Sequence, residues 1–236
     1  LGIGIFNAIT DNTYATVEDS TGAERRILTE PLTNYNVLVF DQQMKNNSSI
    51  YFMNTNMTKD NSNIVANVTG TGLTLENKSH TYAMDVSGAL SQKYTKNDTL
   101  QNTYTTVTGY KYFLGARKIS GNLMFGASHS YINKSYNSRD LGYYVIGNRM
   151  TEVLYLEYNI YNPNKIFRDA YNELFFSYSS NPETGKPFQS NVGLSMFVDF
   201  LNYSAINFNA SIIPFKGYDY NEPRVEGRYF RSIRYY

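Results

Sequence analysis

The chain has 236 residues, enough for one all-β domain, and its formal net charge of +1 gives no basic surface for nucleic acid and no acidic tail. It contains no cysteine, which excludes disulfides, thiolate metal sites and cysteine nucleophiles, and no run of roughly 18 apolar residues, which excludes a transmembrane helix. Tyrosine and phenylalanine are abundant, at 23 and 14 residues, and tryptophan is absent. This composition favours strands with one lipid-facing and one water-facing side.

Alternating runs separated by polar turns predict about twelve strands and no helix. In chain order the predicted strands are 1–10, 34–43, 50–57, 65–75, 81–91, 107–116, 122–136, 149–161, 171–180, the two arms of a hairpin at 190–214, and 224–236. The segments at 11–33, 59–62, 92–106, 137–148, 162–170, 181–187 and 216–223 are predicted to be connections, together with the short turns described below.

The hairpin at 190–214 shows the alternation most clearly. Its first arm has Val192, Leu194, Met196, Val198 and Phe200 on one face and Asn191, Gly193, Ser195 and Asp199 on the other, with Phe197 as the exception. Its second arm opposes Ile206, Phe208, Ala210 and Ile212 to Asn207, Asn209 and Ser211. Period-2 alternation predicts a strand with two unlike faces, and each arm is long enough to cross a membrane at a tilt.

The connections alternate between long and short. The short ones lie near 45–49, 76–79, 117–121 and 201–202, and only 162–170 fits its short position poorly. An up-and-down transmembrane barrel keeps its tight turns at one rim and its longer loops at the other. The fold predicted is therefore all-β, either an antiparallel up-and-down transmembrane β-barrel or a roughly twelve-stranded part of a larger one.

Polar residues in the middle of the strands support this prediction. The candidate lumen-facing side chains are Asp85, Glu157, Asp199, Asn207, Asn209 and Arg228. Unpaired carboxylates in a dry core would cost several kcal/mol each, whereas a hydrated lumen accepts them. A soluble sandwich that carries these residues on its solvated outer faces is the alternative. Tyr82 and Tyr94 bracket an apolar run, as the aromatic girdles of a membrane barrel do.

No catalytic, cofactor-binding or metal-binding residue is predicted. His80 and His129 lie far apart in sequence, so a metal site or a catalytic triad would need an unusual convergence. Glu157, Glu173 and Asp199 could be neighbours on a barrel wall, but the sequence has no cleft signature for glycoside hydrolysis. A charged, hydrated lumen is the simpler interpretation.

Four blocks of sequence carry a family resemblance. They are residues 2–8, 31–42, 45–49 and 222–230. Together they resemble the bacterial outer-membrane barrel family catalogued as domain of unknown function 5916. The resemblance implies that residues 1–236 are one segment of a larger barrel, that a carbohydrate-binding-like module of family 9 type precedes it, and that further strands follow. The family has no settled function.

The function expected is that of a non-enzymatic protein of the bacterial outer membrane, porin-like or linked to glycan uptake. Its expected partners are outer-membrane lipid, other outer-membrane or periplasmic proteins and glycans, with no nucleic acid and no cofactor. Three alternatives remain open. They are a scaffold that docks proteins through the loops at 11–33 and 92–106, an enzyme that uses Glu157 and Asp199, and a soluble β-sandwich binding module.

Overall fold

The computed structural model describes residues 1–60, 64–96, 104–143, 145–218 and 229–230. Its strands in chain order are β1 (Gly2–Thr10), β2 (Thr13–Glu18), β3 (Glu24–Glu30), β4 (Thr33–Gln43), β5 (Ser49–Lys59), β6 (Ile64–Glu76), β7 (Tyr82–Lys96), β8 (Tyr104–Lys118), β9 (Leu123–Ile132), β10 (Arg149–Ile160), β11 (Phe167–Ser180), β12 (Pro187–Phe200), β13 (Ala205–Ile212), β14 (Gly217–Tyr218) and β15 (Tyr229–Phe230). The only helical element among the described residues is a short 3-10 turn at Arg139–Leu141. The predicted all-β class is confirmed.

Eleven strands form one antiparallel sheet in the order β1-β4-β5-β6-β7-β8-β9-β10-β11-β12-β13. Strands β2 and β3 form a separate hairpin between β1 and β4, and β14 pairs with β15. Within the described residues, β1 and β13 are the edge strands and do not pair with each other. No helix in this part of the chain is long and apolar enough to span a membrane.

Strict alternation gives the large sheet two unlike faces. On the first, which we name the apolar face, Leu114, Leu154, Leu156, Leu174 and Leu194 are each 39% to 51% exposed. The register places these side chains on one side across β8 to β12. The predicted faces of the hairpin at 190–214 are confirmed, because Leu194 pairs with Ala210 and Ser195 pairs with Asn209.

The opposite side, which we name the polar face, carries small, hydroxyl-bearing and charged side chains. Met57, Ala66, Ala83 and Ser91 are buried on this side of the sheet. Two of its glycines lie under tyrosine rings. A Cβ at Gly72 would lie 2.3 Å from the Tyr51 ring, and one at Gly126 would lie 2.5 Å from the Tyr155 ring.

The two ends of the sheet differ in their connections. The end that we name the turn edge carries the connections 44–48, 77–81, 119–122, 161–166 and 201–204. Asn46 and Asn47 have positive φ of 56° and 52°, a conformation that asparagine tolerates in tight hairpins. The opposite end, the loop edge, carries 11–32 with its β2–β3 hairpin, 133–148 and 181–186. Every connection predicted to be short lies at the turn edge, including the misfit at 162–170, since β11 already begins at Phe167.

Five predicted connections were wrong in extent. Two of them are 162–170, where β11 already begins at Phe167, and 216–223, where Gly217–Tyr218 form β14. The segment 92–106 was predicted to be a loop, yet β7 continues to Lys96 and β8 begins at Tyr104. Residues 92–96 and 104–106 are mostly polar on both faces, which hides the alternation, but their backbones complete the β7–β8 ladder. The connection 11–33 contains the β2–β3 hairpin, and β9 ends at Ile132 rather than at 136. The predicted last strand at 224–236 lies outside the described residues except for Tyr229–Phe230.

Candidate functional site

The predicted lumen-facing residues that the structure describes all lie on the polar face. Those residues are Asp85, Glu157, Asp199, Asn207 and Asn209. Arg228 lies outside the described residues. The common side follows from register: Asn209 is opposite Ser195, Asn207 opposite Phe197 and Asp199 opposite Ala205 on paired strands.

In the half of the polar face nearest the turn edge, two carboxylates form ion pairs with arginines of neighbouring strands. Asp85 forms an ion pair with Arg117 of the neighbouring strand and accepts a hydrogen bond from Thr74 Oγ1 at 2.9 Å. Asp199, only 8% exposed, forms an ion pair with Arg168. The Arg168 Nε atom also lies 3.6 Å from Asp169 Oδ2. These charges are neutralised within the sheet itself.

Two further carboxylates in this half face each other. Glu157 of β10 is directly opposite Glu173 of β11, and within the described residues neither forms an ion pair. The Asn159 side-chain amide donates to Glu157 at 3.3 Å. The combination of Glu157 with Asp199 considered for an enzyme is not formed as a cross-strand pair, because Glu157 faces Glu173 and Asp199 is engaged by Arg168.

The half of the polar face nearest the loop edge is basic. Lys59, Lys93 and Arg149 lie close to the loop edge, and Lys111 lies at the midpoint of β8. In the described strands of the eleven-stranded sheet no acidic side chain lies on this half of the polar face, and Glu30 of the β2–β3 hairpin pairs with Lys59 at 2.9 Å. The polar face therefore changes from basic to mainly acidic along the strand direction.

Loop 133–148, which connects β9 to β10, folds onto the basic half of the polar face. The backbone of Ser135 and Tyr136 packs against Gly109, so close that a Cβ on that glycine would lie 2.2 Å from the Tyr136 nitrogen. The Asn137 backbone N–H donates to Ser91 Oγ at 3.0 Å. Lys93 Nζ pairs with Asp140 Oδ2 at 2.8 Å. The loop is therefore held by packing, a hydrogen bond and an ion pair.

A cavity of about 350 Å³ lies between this loop and the sheet. Its lining includes Ser91, Lys93, Val107, Lys134, Tyr136 and Arg139. Tyr136 is 6% exposed, and burial raises the pKa of its hydroxyl. Lys111 Nζ lies 5.2 Å from the centroid of the Tyr136 ring, within the range of a cation–π contact.

The outer end of the loop is tied to the neighbouring connection 181–186. Lys134 Nζ lies 2.7 Å from Glu183 Oε1, and the Asn148 side-chain amide donates to Glu183 Oε2 at 3.2 Å. The hydrogen bond from Lys134 lowers the pKa of Glu183, and the same bond raises the pKa of Lys134.

Sequence reasoning missed this loop and one cluster on the apolar face. His129, treated as isolated, contacts Glu152 at 2.6 Å through Nδ1 and the Tyr112 hydroxyl at 3.2 Å through Nε2. Strand register pairs His129 with both Leu114 and Glu152, so a correct pairing of β8, β9 and β10 would have indicated this contact. His80 lies in a turn at the turn edge, against Glu76 at 2.8 Å.

The fold and the site define a class of protein: a meandering antiparallel all-β chain with an exposed apolar face and a charged polar face covered at one end by a loop. Within the described residues no group of at least three His, Asp or Glu side chains could hold a metal ion. The family described as Domain of unknown function (DUF5916) matches residues 1–236, and the chain belongs to this family. No curated protein and no solved structure matches the chain.

Proposed function

We propose that this sheet forms the wall, or part of the wall, of a transmembrane β-barrel in a bacterial outer membrane. The apolar face lies against lipid and the polar face lines a water-filled interior. The role proposed is non-enzymatic passage of small polar solutes, porin-like or linked to glycan uptake. The observation that carries the proposal is the apolar face. Soluble monomers rarely expose a contiguous apolar surface larger than a few hundred Å², and here such side chains are exposed on strand after strand.

The dimensions of the strands agree with a membrane location. Strands β5 to β12 have 10 to 15 residues each. A tilted strand needs about 9–11 residues to cross the hydrocarbon core. All eight strands are long enough to cross it, and β6, β7, β8, β10, β11 and β12 have residues to spare.

The ends of the apolar face carry aromatic and polar side chains, as membrane–water boundaries do. Tyr82 and Tyr158, each 52% exposed, lie near the turn edge, and Tyr131 lies near the loop edge. His129 and Glu152 also contact each other on this face, each three residues from the end of β9 or β10 that adjoins loop 133–148.

The proposal is tested first by gel migration of the detergent-extracted protein with and without boiling, together with far-UV circular dichroism. A shift on boiling and a strand-dominated spectrum are expected of a closed membrane barrel. A protein that is soluble without detergent and shows no shift would contradict the proposal and favour a soluble sandwich that binds a ligand or partner.

A pair of adjacent substitutions then tests which face meets lipid. Leu194→Arg on the apolar face is expected to lower the free energy of unfolding in lipid by about 2–4 kcal/mol, the penalty for a mid-depth lipid-facing arginine. Ser195→Arg is the matched control, since it points to the polar face beside Glu173 and a cleft of about 340 Å³. Equal stability of the two variants in urea titrations in liposomes would contradict the assignment of the faces.

Docking of other proteins at the loop edge is a second candidate function. The observation in its favour is the β2–β3 hairpin, on which Tyr14, Ile27 and Leu28 are 39% to 46% exposed. If this role is correct, replacing the hairpin by a short glycine–serine linker should remove a stoichiometric partner that co-purifies from native membranes. Purification of the wild-type protein alone would argue against the role.

A further inference from the structure

We propose that the basic half of the polar face, beneath loop 133–148, is an anion-binding constriction for small phosphate- or carboxylate-bearing solutes. The inference rests on the proposed function, because it requires that solutes pass along the polar face. It adds a chemical class to that function, since the passage would select for negative charge.

Two cations at this level have no carboxylate partner among the described residues. Lys111 contacts the ring of Tyr136, and Arg149 donates to Ser179 Oγ at 3.1 Å and lies 5.7 Å from the Phe188 ring centroid. All of these partners are neutral, so both positive charges remain uncompensated. A partly buried charge in this state is expected to attract a counter-ion.

The two cations lie near each other on the polar face. Lys111 and Arg149 both pair with Ile132, which lies on the strand between them. They are therefore two strand spacings apart on the same face, about 10 Å between their backbones. In the structure Arg149 extends toward Ser179 of β11, away from Lys111, so a shared anion requires Arg149 to turn from that hydrogen bond toward β9. Side chains of this length can then close the gap around a small anion. An arginine fork suits the planar or tetrahedral oxygens of carboxylate and phosphate, and lysine adds a point charge.

The acids of the loop region do not cancel this charge. Asp140 is held by Lys93 at 2.8 Å, and Glu183 is held by Lys134 at 2.7 Å. Each of these carboxylates already has a lysine partner of its own. Loop 133–148 also lies over this half of the sheet. The cavity of about 350 Å³ between the loop and the sheet is lined by Lys93, Lys134 and Arg139, and Lys111 and Arg149 lie outside its lining. Low-dielectric walls of one charge sign raise the local counter-ion concentration by roughly ten-fold or more.

The test is conductance of the intact protein in planar bilayers under a KCl gradient, with inorganic phosphate then added as a competitor. We expect a reversal potential that shows preference for chloride over potassium, and a chloride current that phosphate reduces. Lys111→Gln and Arg149→Gln should each lower the chloride preference and weaken inhibition by phosphate, and the double variant should lower both several-fold. Lys78→Gln removes one positive charge from the turn 77–81 and should change neither property. Each variant is first checked for the gel shift on boiling.

The outcomes separate this inference from the proposed function. A conducting protein with no anion preference, or one whose preference survives the double variant, would overturn the anion site and leave the proposed passage intact. A correctly folded wild-type protein that conducts no ions would overturn the proposed passage itself, and the anion site with it. Lys111→Arg, which keeps the charge, should retain the selectivity, and its loss there would also count against a charge-based site.

Discussion

The charged side chains in the two halves of the polar face differ in their partners. Near the turn edge, Asp85 and Asp199 are neutralised by Arg117 and Arg168 of the sheet itself, whereas Glu157 and Glu173 face each other without an ion pair among the described residues. Near the loop edge, Lys111 and Arg149 have no such partner among the described residues, and a loop folds over this half. The first half is held by contacts between neighbouring strands, and the second by contacts between the sheet and loop 133–148.

The glycines of the two halves show the same contrast. Gly72 and Gly126, towards the turn edge, lie under tyrosine rings from neighbouring strands. Gly109, in the basic half, lies under the backbone of the loop. A ring can swing away from an added methyl group, whereas a tethered backbone must be displaced as a whole. We therefore expect movement of a tyrosine ring to accommodate an added methyl group at Gly72 or Gly126, and a methyl group at Gly109 to displace the covering loop.

Among the substitutions that test this contrast, Arg168→Met is expected to change the free energy of unfolding most. It leaves the Asp199 carboxylate, in a residue only 8% exposed, without its cationic partner. The free energy of unfolding should fall by about 2–3 kcal/mol, since a carboxylate left unpaired in a buried site keeps its desolvation cost. Urea titration in detergent micelles, followed by far-UV circular dichroism and tyrosine fluorescence, measures the change.

Two further variants establish the cause of this loss. Asp199→Asn in the Arg168→Met background should restore part of the stability, because it removes the uncompensated charge. Lys134→Met, which breaks an exposed ion pair with Glu183, should leave the free energy of unfolding unchanged within error. If Arg168→Met behaves like Lys134→Met, the acidic half does not depend on its ion pairs and the contrast fails.

A smaller loss of stability and a local opening are expected for Gly109→Ala. The new Cβ would lie 2.2 Å from the Tyr136 nitrogen and 2.3 Å from the Ser135 carbonyl carbon, so the loop must move away. Overpacking of this kind costs about 1–2 kcal/mol. Trypsin digestion of the folded protein should cut faster after Lys134 and Arg139, and mass spectrometry of the fragments identifies the sites.

Gly193→Ala is the control for this opening. It adds the same methyl group to the same face, where its nearest neighbour is the Ala210 carbonyl oxygen at 3.8 Å. Trypsin cleavage within the loop should match that of the wild-type protein. Equal cleavage of Gly109→Ala and Gly193→Ala would show that the loop does not rest on Gly109.

The sequence predicted what depends on local alternation and missed what depends on distant contacts. The sides of Asp85, Glu157 and Asp199 follow from period-2 patterns within single strands. The covering loop depends on contacts such as that of Asn137 with Ser91, which are 46 residues apart in the chain. A polar loop that returns to a polar face has no hydrophobic signal, so composition alone cannot distinguish it from a loop in solvent.

The ends of β7 and β8 were missed for a related physical reason. Gln92 and Lys93 lie on opposite faces of β7, and both are polar. Gln92 is opposite Asn67 on the apolar face, and Lys93 on the polar face pairs with Asp140 of the loop. With both sides polar, the alternation that predicts a strand is lost, although the backbone hydrogen bonds continue. Patterns therefore predicted the central, two-faced part of this sheet better than its loop edge.

The smallest predicted effect is a pH-dependent opening of loop 133–148, whose outer end is tethered by the ion pair between Lys134 and Glu183. Their hydrogen bond lowers the Glu183 pKa below its ordinary 4.5, so the tether is complete above about pH 5 and is lost as the pH falls through the lowered value. It raises the Lys134 pKa above its ordinary 10.5, so the contribution of Lys134 is complete below about pH 10 and is lost as the pH rises through the raised value.

Hydrogen exchange of the loop amides, corrected for the intrinsic effect of pH, should therefore be constant between about pH 5 and pH 10 and rise a few-fold below pH 4. Glu183→Gln at pH 7 should already show the raised rate and respond little to acid, because it cannot form the charged pair. The effect should stay within the loop, since Gly109 and Ser91 still hold its inner end. An acid-induced rise that is equally large in Glu183→Gln would assign the change to another group, and exchange that spreads into β9 and β10 would show that the loop and the sheet open together.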